Sequence, residues 1–261
     1  MGTAPELRHN LTADAQVRQI SEHGWHLQIP PGPAGQYRLS QLDDYAHLKR
    51  HEFPWHPPVH LRLKARASQT SLPGTWGFGL WNDPFSMTMG FGGGTRRLPT
   101  LPNAAWFFFA SPENYLSLRD DLPASGSLAA TFQSRYIPAP LLAPVALALP
   151  LLLLPPMVRL LRRLGRNVIK QSAAELDLDV TAWHSYAIEW TSRRIVFRLD
   201  NQVISQTNLA PAGPMGLVIW IDNQYAALTP GGRLRYGALA HSTSAWIEID
   251  ELQIISDCAS T

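Results

Sequence analysis

The chain has a single cysteine, Cys258, in 261 residues. No internal disulfide framework is possible, so the fold must be held by its core and does not require oxidising export. Charge is also scarce: Asp, Glu, Lys and Arg make up 16% of the chain, and the formal net charge is +2. Nucleic-acid binding needs a concentrated basic face, which this mild balance argues against. Residues 1–10 lack the apolar core of a secretory signal peptide. The expected location is therefore cytoplasmic, at most peripheral to a membrane. No Ser-His-Asp or Cys-His nucleophile arrangement can be identified. His51, His56 and His60 are close in sequence, but two prolines intervene and the spacing is not that of a helix face. No metal and no cofactor are expected. Residues 90–94 are glycine-rich and lead to Arg96 and Arg97. They lack the lysine and following helix of a phosphate loop, so they read as a plain loop.

Turn residues and rings are abundant. The chain has 22 Pro, 18 Gly, nine Trp and 10% aromatic residues. This composition supports a large core and many short strands, and it excludes a disordered segment. One domain spanning residues 1–261 is the natural expectation for an all-β chain of this length. Strand signals recur at 25–29, 37–42, 59–68, 75–83, 104–110, 127–135, 185–190, 194–200, 202–206, 215–222 and 245–255. Within 59–68, Val59, Leu61, Leu63 and Ala65 alternate with His60, Arg62, Lys64 and Arg66, the pattern of a strand with one wet face. Residues 104–110 are apolar on both faces, as in a central strand buried on two sides.

Residues 137–170 break the pattern and read as an insertion. From Tyr136 to Val158 there is no charge, but six prolines from Pro138 to Pro156 would break most of a continuous helix. Arg159, Arg162, Arg163, Arg166 and Lys170 follow at spacings that form a basic stripe on one helix face. The segment fits a buried or self-associating insertion, an interfacial membrane segment or lid, or, against its prolines, a true membrane span.

Residues 183–203 carry a His-x-Tyr-x-x-x-Trp strand, His184 to Trp190, which leads through a turn to a second strand closed by Asp200-Asn201. This resembles a hairpin of family 16 glycoside hydrolases and their concanavalin A-like relatives. Gly-Thr-Trp-Gly-Phe-Gly-Leu-Trp at 74–81 is similar to the strand lining the glucanase cleft. Ala-Trp-Ile-Glu-Ile-Asp-Glu-Leu-Gln-Ile at 245–254 is similar to the closing strand. The resemblance implies a concanavalin A-like jelly-roll β-sandwich. It also implies a Glu-x-Asp-x-x-Glu motif on the strand after 74–81, which supplies nucleophile and acid/base. The corresponding strand here, 103–112, has no acid, and Glu113 lies just past it. Glu248, Asp250 and Glu251 begin like the motif, but alternation puts Glu251 on the opposite face from the other two, and no acid follows at 252 or 253.

Strand alternation nominates a ligand cleft. Gly77, Gly79, Trp81 and Asp83 share one side, where two glycines would leave an open floor. Val218, Trp220 and Asp222 share a side, with Asn223 and Tyr225 just beyond. Trp rings stack on sugars, while Asp and Asn bind hydroxyls. Asp83 and Asp222 are candidates for an acid/base pair, with Glu113 a third carboxylate at the mouth. The alternative is that the Trp residues belong to the core and both Asp residues cap turns. Three functions remain open. The first is a noncatalytic carbohydrate-binding relative of the glucanases. The others are a glycosidase with relocated carboxylates and a membrane-surface or hydrophobic-ligand protein.

Overall fold

The computed structural model describes residues 6–12, 14–84, 97–98, 100–138 and 154–256. Half of the chain is strand and 8% is helix. Two seven-stranded antiparallel sheets form the jelly-roll sandwich. The first has the order β1 (Arg8–Leu11), β4 (Leu39–Asp43), β13 (Gly216–Asp222), β6 (Thr75–Trp81), β7 (Ala104–Ala110), β8 (Gly126–Ser134), β9 (Ile169–Glu175). The second has the order β12 (Gln202–Thr207), β11 (Ile195–Leu199), β10 (His184–Trp190), β5 (Val59–Ala67), β16 (Ala245–Ser256), β3 (Gly24–Ile29), β2 (Gln16–Ser21). A separate hairpin pairs β14 (Gln224–Leu228) with β15 (Leu234–Ala238).

Alternation explains the layering. On β5, Val59, Leu61, Leu63, Ala65 and Ala67 are buried while the residues between them reach the surface. Rings from the two sheets meet in the core. Phe78 and Phe107 lie 5.0 and 4.9 Å from Tyr186, and Phe107 lies 5.3 Å from Phe197. Edge-to-face geometry of this kind adds to the roughly 1.5–3 kcal/mol that burying each ring contributes. β7 is apolar on both sides because Phe107 and Phe109 join the inter-sheet core, while Phe108 joins a second cluster outside the first sheet.

Five strands lie outside the expected set: β1, β2, β9, β14 and β15. β1, β2 and β9 are at or near sheet edges, and β14 and β15 form the separate hairpin. β2 has five exposed residues out of six, so it has no buried face to impose a pattern.

Within the insertion, residues 139–153 lie outside the described residues, as do residues 90–94, Arg96 and Cys258. Helix α1 spans Pro155–Val168 and begins with prolines at its first positions, where their missing N–H costs nothing. The basic stripe is split rather than continuous. Lys170 belongs to β9, and Arg162 turns inward with 4% exposure. Arg162 donates to the carbonyls of Ser117, Leu118 and Leu228 and pairs with Asp120. It thereby pins α1 to the β7–β8 loop and to the β14–β15 hairpin. No helix among the described residues is long and apolar enough to cross a membrane.

Candidate functional site

The outer face of the first sheet is an aromatic cluster. Pairing places Gly77 directly opposite Trp220 on β13, and Gly79 opposite Trp106 on β7. The expected open floor is therefore filled by indoles. A Cβ at position 77 would come 2.9 Å from Trp220 Cη2 and 2.3 Å from the Phe107 carbonyl oxygen. At position 79 it would come 2.5 Å from Trp106 Cα and from the Ala105 carbonyl oxygen. The two glycines are sockets that let the neighbouring strands approach. Trp106 is the hub of the cluster, with ring centroids of Trp81, Phe108, Phe132 and Trp220 at 5.9, 5.3, 5.9 and 5.6 Å. Trp220 and Phe108 are buried, whereas Trp81, Trp106 and Phe132 are half-buried. The Trp106 Nε1–H is enclosed and has no hydrogen-bond partner among the described residues.

Loops roof both flanks of this face. On one side Leu39, Tyr45 and Phe53 pack against Trp220 and its neighbours. On the other, the β7–β8 loop leaves a cavity of about 30 Å³ against Trp106, Phe108 and Phe132. That volume has room for little more than a water molecule. Most of its lining is apolar, the polar exceptions being Ser117, Gln171 and Ser172.

The candidate carboxylates do not meet. Asp222 is bound at the start of β6, accepting hydrogen bonds from Thr75 N and Oγ1 at 3.1 and 2.8 Å and from Gln224 N at 3.2 Å. Asp83 lies beyond the other end of β6. Six residue steps from Thr75 to Trp81, at about 3.3 Å each, put the two roughly 20 Å apart or more. A glycosidase pair sits within roughly 5–9.5 Å, so Asp83 and Asp222 cannot act together. Each is committed locally. Asp83 is buried in an ion pair with Arg97 at 2.5 Å. Arg97 also donates to the carbonyls of Tyr45, Ala46 and Leu48. Glu113 is exposed in the β7–β8 loop, at the Asp222 end of the sheet.

Burial pushes the Asp222 carboxyl up to about 7, against bonds from Thr75, Gln224 and Tyr37 that pull it down. Asp44 is also raised to about 7 by burial, against bonds from Trp55 and Leu217. The Trp55 indole N–H donates to Asp44 at 2.5 Å and the Leu217 amide at 2.8 Å. Asn223 is fully buried and fully bonded. Its oxygen accepts from Arg38 N, and its amide donates to the carbonyls of Gln36 and Leu239. It is a structural link between loops, with both amide donors used and no surface exposed to a ligand. Tyr225 sits on the separate hairpin, its ring over Gly237, and so lies off the aromatic face.

Sequence reasoning placed Trp81 and Trp220 on this face but missed Trp106 and Phe132, which complete it. The signal was present: on a strand apolar throughout, alternation groups Trp106 with Phe108. A second surprise is the bulge in β16 between Asp250 and Gln253, where Glu251 has φ of +51°. The bulge returns Glu251 to the outer face of the second sheet, where it pairs with Lys64 at 2.6 Å, instead of leaving it on the opposite side from Glu248.

No protein-family model matches the chain, and no curated protein matches it in sequence. Solved structures do align with it. The kappa-carrageenase from Pseudoalteromonas carrageenovora, in complex with an oligotetrasaccharide of kappa-carrageenan, aligns over 97% of this chain and 96% of its own. The TM-score is 0.48 and the identity 10%. LamAcat from Zobellia galactanivorans aligns over 96% of this chain and 90% of its own, with TM-score 0.46 and 11% identity. A glycoside hydrolase family protein from Mycobacterium thermorestibile aligns over 89% and 76%, with TM-score 0.45 and 11% identity.

Proposed function

We propose that this chain is a noncatalytic carbohydrate-binding sandwich that stacks a sugar on the Trp81, Trp106 and Phe132 part of the first sheet's outer face. One observation carries the reading. At the centre of that face β7 presents Trp106, a half-buried ring with an unpartnered N–H, and the strand has no carboxylate. Aromatic rings stack on the apolar faces of sugars, and an indole N–H can donate to a ring hydroxyl. The N–H is enclosed, so a hydroxyl reaches it only when the neighbouring rings or loop shift, and the bond then recovers the roughly 1–3 kcal/mol that an unmade buried donor costs. Hydrolysis would need a carboxyl pair, and the separation of Asp83 from Asp222 counts against the relocated-carboxylate alternative.

A second reading, a membrane-surface or hydrophobic-ligand protein, has its own support. The cavity beside Trp106 is mostly apolar, and α1 exposes Leu160 and Leu164 beside Arg159 and Arg163.

A thermal-shift titration with neutral oligosaccharides, an apolar fluorescent probe and anionic vesicles separates the two. The carbohydrate reading expects a saturable rise for one sugar class. Trp106→Phe keeps a ring in the cluster but removes the donor, and should weaken that binding about tenfold. Response to the apolar probe or vesicles alone would favour the second reading.

A further inference from the structure

The outer face of the second sheet holds a groove of about 230 Å³. We propose that it binds a small ligand bearing an oxyanion, such as an acidic sugar, at a site independent of the aromatic face.

The groove is built by register. Its floor is Ser185 and Ala187 on β10, two short side chains in succession on the outward side. Ala187 faces Arg62 on β5 and Arg198 on β11, and Ser185 faces Lys64. With neighbouring strands about 4.8 Å apart, the backbones of β5 and β11 flank the floor at roughly 10 Å. Two arginines rising on either side of an alanine can close on one oxyanion from both directions, and guanidinium forks suit carboxylate, sulfate and phosphate geometry.

The charges in the lining are unbalanced. Arg62, Lys64 and Arg198 face one lining carboxylate, Glu251. Lys64 is paired with Glu251 at 2.6 Å, and Arg198 with Glu189 at 2.7 Å. Arg62 is exposed, and its guanidinium has no hydrogen-bond or ion-pair partner among the described residues. The bulge in β16 adds a second mark of a built site. It brings Glu251 and Gln253 to the rim opposite Asn201, and bulges re-aim side chains at binding sites. The rim thus offers groups for hydroxyls as well as cations for the anion. The volume is below that of pockets for drug-sized ligands, which fits a single sugar unit or a free oxyanion.

The test uses the whole chain and three probes: glucuronate, inorganic sulfate and glucose as the neutral control. Binding is read by calorimetry at low salt for the native chain, Arg62→Gln, the double variant Arg62→Gln/Arg198→Gln, and Trp106→Phe. Any glucose binding should depend on Trp106 and not on the arginines, and the expected result for glucuronate is saturable binding. It should weaken about tenfold in Arg62→Gln and further in the double variant, as charge-assisted bonds are lost. Trp106→Phe should leave it unchanged. Sulfate binding as tightly as glucuronate would show that a free oxyanion suffices, while weaker sulfate binding would assign the sugar hydroxyls to the rim. Absence of saturable binding of either anion, glucose binding that is lost with the arginines, or anion binding that survives the double variant would overturn the proposal. The arginines are at the surface, so an unchanged unliganded melting temperature confirms that the variants fold.

Discussion

On the first sheet, the outward side chains of β6, β7 and β13 include Gly77, Gly79 and the rings of Trp81, Trp106, Phe108 and Trp220, and loops fold over them, the β7–β8 loop being held in turn by α1. On the second sheet, the outward side chains of β5 are His60, Arg62, Lys64 and Arg66, of which Lys64 and Arg66 form short ion pairs across the strands with Glu251 and Glu248. Glu248 there holds Arg66 at 2.6 Å and His26 at 3.2 Å, and Arg66 lies 4.9 Å from the ring of Trp183. Both faces follow the same period of two. The difference is what lies above them. Covered strands can be apolar on both sides, while uncovered ones must alternate. Stability should therefore depend on residues of the covered face, and charge-dependent recognition on those of the open one.

The largest effect should come from the residue that holds the cover down. Arg162→Met removes a buried guanidinium together with its bonds to three carbonyls and Asp120. Urea denaturation should show a loss of about 3–5 kcal/mol, since three carbonyls, one buried and two part-buried, are left without their donor, while Asp120 is exposed. A loss under about 1 kcal/mol would mean that α1 and the β7–β8 loop are not part of the cooperative fold.

Gly77→Ala comes next. The added methyl would meet the Phe107 carbonyl oxygen at 2.3 Å, backbone that cannot move aside cheaply. A loss of about 1–3 kcal/mol is expected. Wild-type stability would show that β6 and β7 are farther apart than this register implies.

The third effect is a pH dependence peculiar to the covered face. Asp222 and Asp44 are both raised to about 7 by burial, so the folded chain keeps protons that the unfolded chain has released. Their contribution is fully present below the unfolded carboxylate value near 4. It is lost as pH rises from there through about 7, on the order of 4 kcal/mol per group in all, only part of it above pH 5. Denaturation midpoints should fall between about pH 5 and 8, and Asp222→Asn should remove part of that slope. A slope unchanged in this variant would place the titration elsewhere.

The smallest effect belongs to the open face. Arg62→Gln should change stability by less than about 0.5 kcal/mol, even though the same change is expected to weaken anion binding.

The same contrast governs what could be read from the residues. β5 and β7 were legible for opposite reasons, one by clean alternation and one by an unbroken apolar run. β2 and β9 were not, because edge strands that bury little need no pattern. The resemblance at 183–203 and 245–254 gave the right sandwich, since those segments form β10, β11 and β16. The site was half legible. Alternation grouped Gly77, Gly79, Trp81 and Trp220, yet only the registers show that each glycine carries an indole from the next strand. Asp83 and Asp222 looked alike as acids at strand ends. That they sit at opposite ends of β6 depends on which strand pairs with β6 and in which direction, a long-range fact that no local spacing contains.

The central claim is that Trp106 stands at a sugar-binding face without a hydrolytic pair. The direct measurement is incubation of the native chain with the oligosaccharide class that raises its melting temperature, followed by assay for new reducing ends. The account predicts saturable binding, weakened in Trp106→Phe, and no reducing ends above the uncatalysed background. Release of reducing ends by the native chain, above all release that is lost in Asp222→Asn or Glu113→Gln, or binding indifferent to Trp106, would contradict it.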